Sequence, residues 1–350
     1  MTEDSSKDQT AQLSAEQRER AVGSVVAAAA GDALGAPYEF QPPVADSEDI
    51  DMIGGGVLDW QPSEWTDDTA MTIVVLEAAV STPAGHDLRV ESAQDQICRE
   101  WYGWSLGAPD IGMLTATVVR RAADAARADG HYAPRAADFR AAAQAAHEEL
   151  PRNAGNGSLM RTHAAVLPYL LSPEDDAVDS IDVVCRLTHV HPDTTDACLL
   201  WGLAVRHAIL TGEIDVRRGL DRLEHGRRML WLERIEEAEV SAPAAFRRNG
   251  WVVGAFQAAW AAITRIGPIP AGKFAQRAAL RQAVESAVRA GYDTDTVACI
   301  TGALMGAALG VKAVPTEWRR ELFGWPGYGT QELIGLAERV ITATGSGQAR

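Results

Sequence analysis

Basic residues are scarce. Lys and Arg number 32 against 48 Asp and Glu, which leaves a formal net charge of −16. A surface of that sign repels polyphosphate, so a broad nucleic-acid-binding face is not expected, whereas a local site for one nucleotide stays open. Cysteine is equally sparse. Cys98, Cys185, Cys198 and Cys299 lie far apart with no CxxC spacing, which argues against a zinc knuckle or disulfide frame and for reduced, buried thiols. Long apolar runs are missing. The best imitation, "TVACITGALMGAALGV", is short for a membrane span and rich in Gly and Ala, which suits close helix packing. The first twenty residues lack the apolar stretch of a signal peptide, so the expectation is a cytoplasmic protein with no membrane partner. Strand-like alternation is absent too.

What is present is helical periodicity. Apolar residues recur at three- and four-residue spacing in "TAMTIVVLEAAV", "MLTATVVRRAADAARA", "AADFRAAAQAAHEEL", "RRGLDRLEHGRRMLWLERI", "GWVVGAFQAAWAAITRI" and "KFAQRAALRQAVESAVRAG", among others. Gly and Pro fall between these stretches, in "GAPYEFQPPV", "GGGVLDWQPSEW", "LGAPDIG" and "RNAGNGS". The unusual chemistry therefore sits on loops carried by a helical scaffold. Residues 1–14 read as a mobile tail and residues 15–345 as a single all-α domain, with no linker, repeat or low-complexity tract.

Two acidic clusters stand out. "SEWTDDTAMT" sets Asp67 and Asp68 between Thr66 and Thr69 just ahead of an apolar helix. "AGYDTDTVACITG" repeats the grammar with Asp293, Thr294, Asp295 and Thr296. Helix capping explains either cluster alone, because Ser, Thr and Asp are favoured at helix starts. Two of them in one chain suggest a different purpose. If both helix starts point at one cavity, four carboxylates converge and repel unless cations neutralise them. Hard oxygen ligands suit Mg²⁺, Mn²⁺ or Ca²⁺, and two divalent ions between the helix starts is the economical reading. "DTDTV" also fits the nucleophile motif of haloacid-dehalogenase phosphatases. That motif follows a buried strand, and here the preceding "LRQAVESAVRAGY" is helical.

Other positions are ambiguous alone. In "AAAAGDALGAPYEF", Asp32 reads as a structural anchor, and Glu39, past a Gly-Ala-Pro turn, can reach into a cavity. The loop "RNAGNGS" can hold a phosphate through backbone N–H groups, or simply cap the next helix. His189 and His191 form an H-x-H pair, but nothing nearby completes a zinc set. Asp110 lies between two helices, and Trp65 abuts the first acidic cluster.

Taken together and in order, "GDALGAPYEF", "SEWTDDTAMT", "AGNGSLMR", "THVHP" and "GYDTDTVACITGALMGAALG" resemble the ADP-ribosylglycohydrolase family, over residues 20 to 340. The resemblance implies a compact orthogonal all-α bundle with a dinuclear Mg²⁺ or Mn²⁺ cleft. By matching motif it implies Thr66, Asp67 and Asp68 as metal ligands, with Asp293, Asp295 and Thr296 facing them. It makes Glu39 and Asp110 the acid–base candidates. It places Asn153, Gly155, Asn156, Gly157 and Ser158 around the diphosphate, and His189 beside the ligand; Trp65, from its place by the first acidic cluster, is also expected to line the substrate site. One departure is Ala154, where some members carry an aromatic residue beside the distal ribose.

The implied reaction is hydrolysis of the glycosidic bond at the anomeric carbon of ADP-ribose, with an arginine linkage preferred. The expected partner is an ADP-ribosylated protein, the expected product is ADP-ribose, and the expected state is a monomer. Two rival readings are a hydrolase of serine-, nucleobase- or acetyl-linked ADP-ribose, and a non-catalytic ADP-ribose-binding homologue. The second is opposed by the intact acidic set, which is costly to bury without a cation.

Overall fold

The computed structural model describes residues 12–81, 86–151 and 153–343. The helices run α1 (Ala15–Gly35), α2 (Asp67–Ser81), α3 (Glu91–Ser105), α4 (Met113–Ala128), α5 (Ala136–Glu149), α6 (Thr162–Val166) and α7 (Glu174–Arg186). They continue with α8 (Pro192–Thr211), α9 (His225–Val240), α10 (Val252–Thr264), α11 (Lys273–Val288), α12 (Thr294–Leu309), α13 (Thr316–Glu321) and α14 (Thr330–Ala343). The architecture is all-α, and none of the described helices is long and apolar enough to cross a membrane. Most of the expected tail lies outside the described residues. Its last three residues are placed: Leu13 is 5% exposed, and Ser14 opens α1 with a reciprocal cap to Gln17.

The axis of the fold is the contact between α1 and α12, the most extensive in the molecule. It is made by backbone. A Cβ added at Gly31 would strike the Ala298 carbonyl, one at Gly302 the Ala27 carbonyl, and one at Gly306 the Gly23 carbonyl. The Gly/Ala-rich stretches thus let the two helices approach to a separation that larger side chains would forbid. The same register sets Gly35, at the end of α1, against the backbone of Thr294 and Asp295 at the start of α12. Thr294 Oγ1 donates to the Gly35 carbonyl at 2.8 Å.

Two segments differ from the periodicity. "RRGLDRLEHGRRMLWLERI" is not one helix. Leu220–Arg222 makes a single 3₁₀ turn, Leu223 and Glu224 are extended, and α9 begins at His225. Arg228 caps that turn from below, donating to the carbonyls of Leu220 and Asp221, both at 3.0 Å. The second is a miniature antiparallel sheet, β1 (Phe323–Gly324) with β2 (Tyr328–Gly329), too short for alternation to reveal it. It matters for the site, because Phe323 also pairs with the chain beside the first acidic cluster. Its N–H donates to Ser63 O at 3.2 Å and its carbonyl accepts from Trp65 N at 3.0 Å.

Candidate active site

The start of α2 is capped from another helix. Asp32, fully buried on α1, accepts from Thr66 N at 2.9 Å, from Thr69 N at 3.0 Å and from Thr69 Oγ1 at 2.6 Å. Both Asp32 oxygens are therefore engaged, and Asp67 and Asp68 are released from capping. At the other start, Asp293 occupies the cap position of α12 without making a side-chain cap bond. Its carboxylate instead accepts from Asn156 Nδ2 at 2.9 Å. The capping explanation of the two clusters thus fails for different reasons at each end.

The two starts converge. Oxygens of Asp32, Asp68 and Asp295 lie within 4.8 Å of one another, as do those of Glu39, Asp293 and Asp295, and those of Asp67, Asp110 and Asp295. Thr66 Oγ1 lies 3.4 Å from Asp295 Oδ2 and 3.5 Å from Asp68 Oδ2, and Thr296 Oγ1 lies 3.3 Å from Asp68 Oδ2. Asp110 reaches this cluster from the loop between α3 and α4. The cap position of α4 is Gly112, whose N–H donates to Asp67 Oδ2 at 3.3 Å.

Burial and mutual repulsion hold these groups above the ordinary carboxylate range. Asp32 is pushed up to about 6 by burial, against the opposing bonds from Thr69 and Thr66. Asp67 is pushed up to about 8 by burial, then by Asp110 and Asp32. Glu39 is pushed up to about 10 by burial, then by Asp293 and Asp110. Asp68 and Asp295 are raised well above the usual value, chiefly by burial. Among the described residues no Lys or Arg forms an ion pair with any of the seven. Glu39 Oε2 and Asp68 Oδ1 are buried with no hydrogen-bond partner. A cluster of hard oxygens with orphaned acceptors and no ion-paired Lys or Arg fits divalent cations.

The loop Asn153–Ser158 abuts this cluster through Asn156. Asn249, which sequence reasoning missed, braces the junction. Its carbonyl accepts from Asn156 Nδ2 at 2.9 Å, its Oδ1 accepts from Asp293 N at 3.2 Å, and its Nδ2 donates to Gly291 O at 2.8 Å. The N–H groups of Gly155, Gly157 and Ser158 donate to no acceptor among the described residues. His189 lies beneath the loop: a Cβ at Gly155 would come 3.3 Å from its Nε2, and one at Gly157 3.3 Å from its Cε1.

Three expected ligand contacts have their side chains engaged elsewhere. Trp65 donates its indole N–H to Trp325 O at 3.1 Å and packs under Gly324. Asn153 Nδ2 donates to the carbonyls of His147 and Leu150 at the end of α5, at 2.5 and 2.8 Å. Ser158 Oγ turns inward to Cys185 Sγ at 3.3 Å and Cys198 Sγ at 3.2 Å. The H-x-H pair also separates, because His191 Nδ1 accepts from Asp193 N at 3.0 Å and caps α8. The dehalogenase motif is excluded by α11, a helix where that chemistry needs a strand.

Fold and site define an all-helical protein organised around one buried cluster of carboxylates and an adjoining loop of free amides. A model of the ADP-ribosylglycohydrolase family matches residues 13–350, and the chain belongs to that family of ADP-ribosyl hydrolases. It is 27% identical to the ADP-ribosyl-[dinitrogen reductase] glycohydrolase of Rhodospirillum rubrum, over 87% of this chain and 90% of that protein. It is 26% identical to the ADP-ribosylarginine hydrolase Tri1 of Serratia proteamaculans, over 88% and 76%. The bovine (Bos taurus) ADP-ribosylhydrolase ARH3 is 25% identical over 87% and 88%. Among solved structures, an ADP-ribosylglycohydrolase-related protein superposes with a TM-score of 0.64 at 25% identity, over 94% of this chain and 99% of that one.

Proposed function

We propose that the protein is a divalent-metal-dependent hydrolase that removes ADP-ribose from arginine side chains of modified proteins. The observation that carries this reading is the position of Asp110. Its carboxylate joins Asp67 and Asp295, and the helix after it is capped by Gly112 instead. A carboxylate beside the oxygen cluster can pair with a guanidinium through two charge-assisted hydrogen bonds. It can also manage the proton that the leaving guanidine requires. A serine ether or a nucleobase gains less from that charge. The name of one relative, an ADP-ribosylarginine hydrolase, supports the same linkage.

In this reading water adds to the anomeric carbon as the C–N bond breaks, and the guanidine leaves protonated. Glu39 and Asp110 share the acid–base work. Thr66, Asp67, Asp68, Asp293, Asp295 and Thr296 would hold two divalent cations, Mg²⁺ or Mn²⁺, which when bound supply charge stabilisation at the ribose hydroxyls. The free amides of Gly155, Gly157 and Ser158 take the diphosphate, as a turn of converging N–H groups does without Lys or Arg.

The test is a panel of arginine-, serine-, guanosine- and acetyl-linked ADP-ribose conjugates, with and without Mg²⁺ or Mn²⁺, read by release of ADP-ribose. Wild-type protein should favour the arginine conjugate. Asp110→Asn should fold, bind ADP-ribose and fail to cleave it. Faster cleavage of another linkage overturns the arginine assignment, and full turnover by Asp110→Asn overturns the role of Asp110.

A further inference from the structure

Arg161 is fully buried, and among the described residues it has no carboxylate partner. Its guanidinium stacks over the Trp101 ring, 4.4 Å from the centroid. One terminal nitrogen donates to the Gly157 carbonyl, tying down the loop whose N–H groups are free. The other donates to Thr188 Oγ1 at 2.5 Å. Thr188 Oγ1 in turn lies 2.7 Å from His189 Nδ1.

The direction of each bond in this chain follows from donor counting. A guanidinium has donors only, so Thr188 Oγ1 must accept from it. The hydroxyl retains one hydrogen, and among the described residues it has no other acceptor. If His189 Nδ1 carried a proton, that hydrogen would be left unused in a buried site, which is unfavourable. Nδ1 is therefore the acceptor. In a neutral imidazole the proton then resides on Nε2, the ring nitrogen beside Gly155. Nε2 has no partner among the described residues, and the residue is 2% exposed. Burial, then the Arg161 charge, push the ring down to about 3, so it stays neutral.

We propose that Arg161 is a positioning residue which, through Thr188, locks His189 as the Nε2–H tautomer and so presents one neutral donor to an anionic diphosphate oxygen at the Gly155–Gly157 loop. The proposal rests on the reading of that loop as the diphosphate site. It also assigns Gly155 and Gly157 a reason beyond amide access, since the ring occupies the space their side chains would need.

The experiment uses Thr188→Val, which keeps the shape and removes the hydroxyl, with Thr188→Ser as the restoring variant. Nitrogen NMR of the His189 ring reports the tautomer, and calorimetry with ADP-ribose in Mg²⁺ buffer reports binding. Wild type should show a protonated Nε2 and a bare Nδ1. Thr188→Val should show mixed tautomers and bind ADP-ribose about tenfold more weakly, the scale of one lost hydrogen bond to a charged group. Thr188→Ser should restore both. A wild-type ring protonated on Nδ1, or wild-type affinity in Thr188→Val, overturns the relay and leaves the proposed function standing. Wild-type protein that binds no ADP-ribose overturns both.

Discussion

The acidic cluster and the α8–α9 seam are built from the same carboxylates and behave in opposite ways. At the seam, Asp193 meets Arg227 at 2.7 Å and Arg234 at 3.0 Å, and Asp196 meets Arg227 at 2.6 Å. Burial alone would raise Asp193, but hydrogen bonds from Arg234 and Arg227 outweigh it, and the group falls below its usual value. In the cluster no Lys or Arg is ion-paired to offset burial, and every carboxylate rises. A buried cation lies close by in Arg161, yet it serves the loop and Thr188. The difference teaches how a fold marks charges intended for ligands. On the proposed reading, the carboxylates of the seam are neutralised from within, and those of the cluster are left to be neutralised from outside.

The sharpest way to break this comparison is to remove one charge from each kind of position. Asp295→Asn should lower kcat/KM about a thousandfold with the fold retained, the scale of losing a key electrostatic group. Asp32→Asn should act mainly on stability, since its oxygens hold the start of α2. Comparable activity losses from the two substitutions, in steady-state assays at equal metal, would erase the division between ligand and anchor.

Burial acts on bases as well. His163, fully buried on α6, is pushed down to about 4. Its ordinary value is about 6.5, so between those pH values the unfolded chain binds a proton that the folded chain refuses. Stability should therefore fall as pH drops below about 6.5, by ~3 kcal/mol at pH 4 from this ring alone. Urea unfolding of His163→Phe should show a flatter acid limb. An unchanged limb would place the acid sensitivity elsewhere.

Chelation tests the cluster as a whole. Free Mg²⁺ or Mn²⁺ a hundredfold above its Kd should stabilise the fold by about 2.7 kcal/mol per site, and chelator should reverse this. The gain should be larger at pH 8 than at pH 6, because protons compete for the same oxygens. Thermal unfolding indifferent to both ions would contradict the cation reading. The smallest effect belongs to the seam. Asp193→Asn should cost about 1 kcal/mol by chemical denaturation and leave turnover and metal response at wild-type levels, as partly exposed ion pairs do.

The helical scaffold was legible because periodicity and punctuation agree. Gly35 ends α1, and Thr66 and Asp293 precede α2 and α12. The convergence of the two acidic starts was legible only as a conditional, since sequence carries no distance. What closes the condition is the contact of α1 with α12, and its sign in the chain was the small-residue run "GALMGAALG" facing "GSVVAAAAGDALG". Asn249, Arg161 and Thr188 were missed. Each acts on residues distant in sequence or through a single side chain, and none belongs to a cluster that composition makes conspicuous. The break before α9 was missed because Leu220 and Leu223 keep the apolar spacing while an arginine from the next turn takes over the carbonyls.

The backbone contact between α1 and α12 carries one more consequence. Side-chain cores drift: a methyl lost in one place is recovered in another, and helices slide by fractions of an ångström as sequences diverge. Two helices resting carbonyl against glycine have no such slack. The distance from Asp32 to Asp295 is then a fixed gauge, insensitive to repacking elsewhere. If the proposed site is right, substrate preference within such a scaffold changes at the loops, around Asp110 and Ala154, because the floor beneath them cannot be retuned.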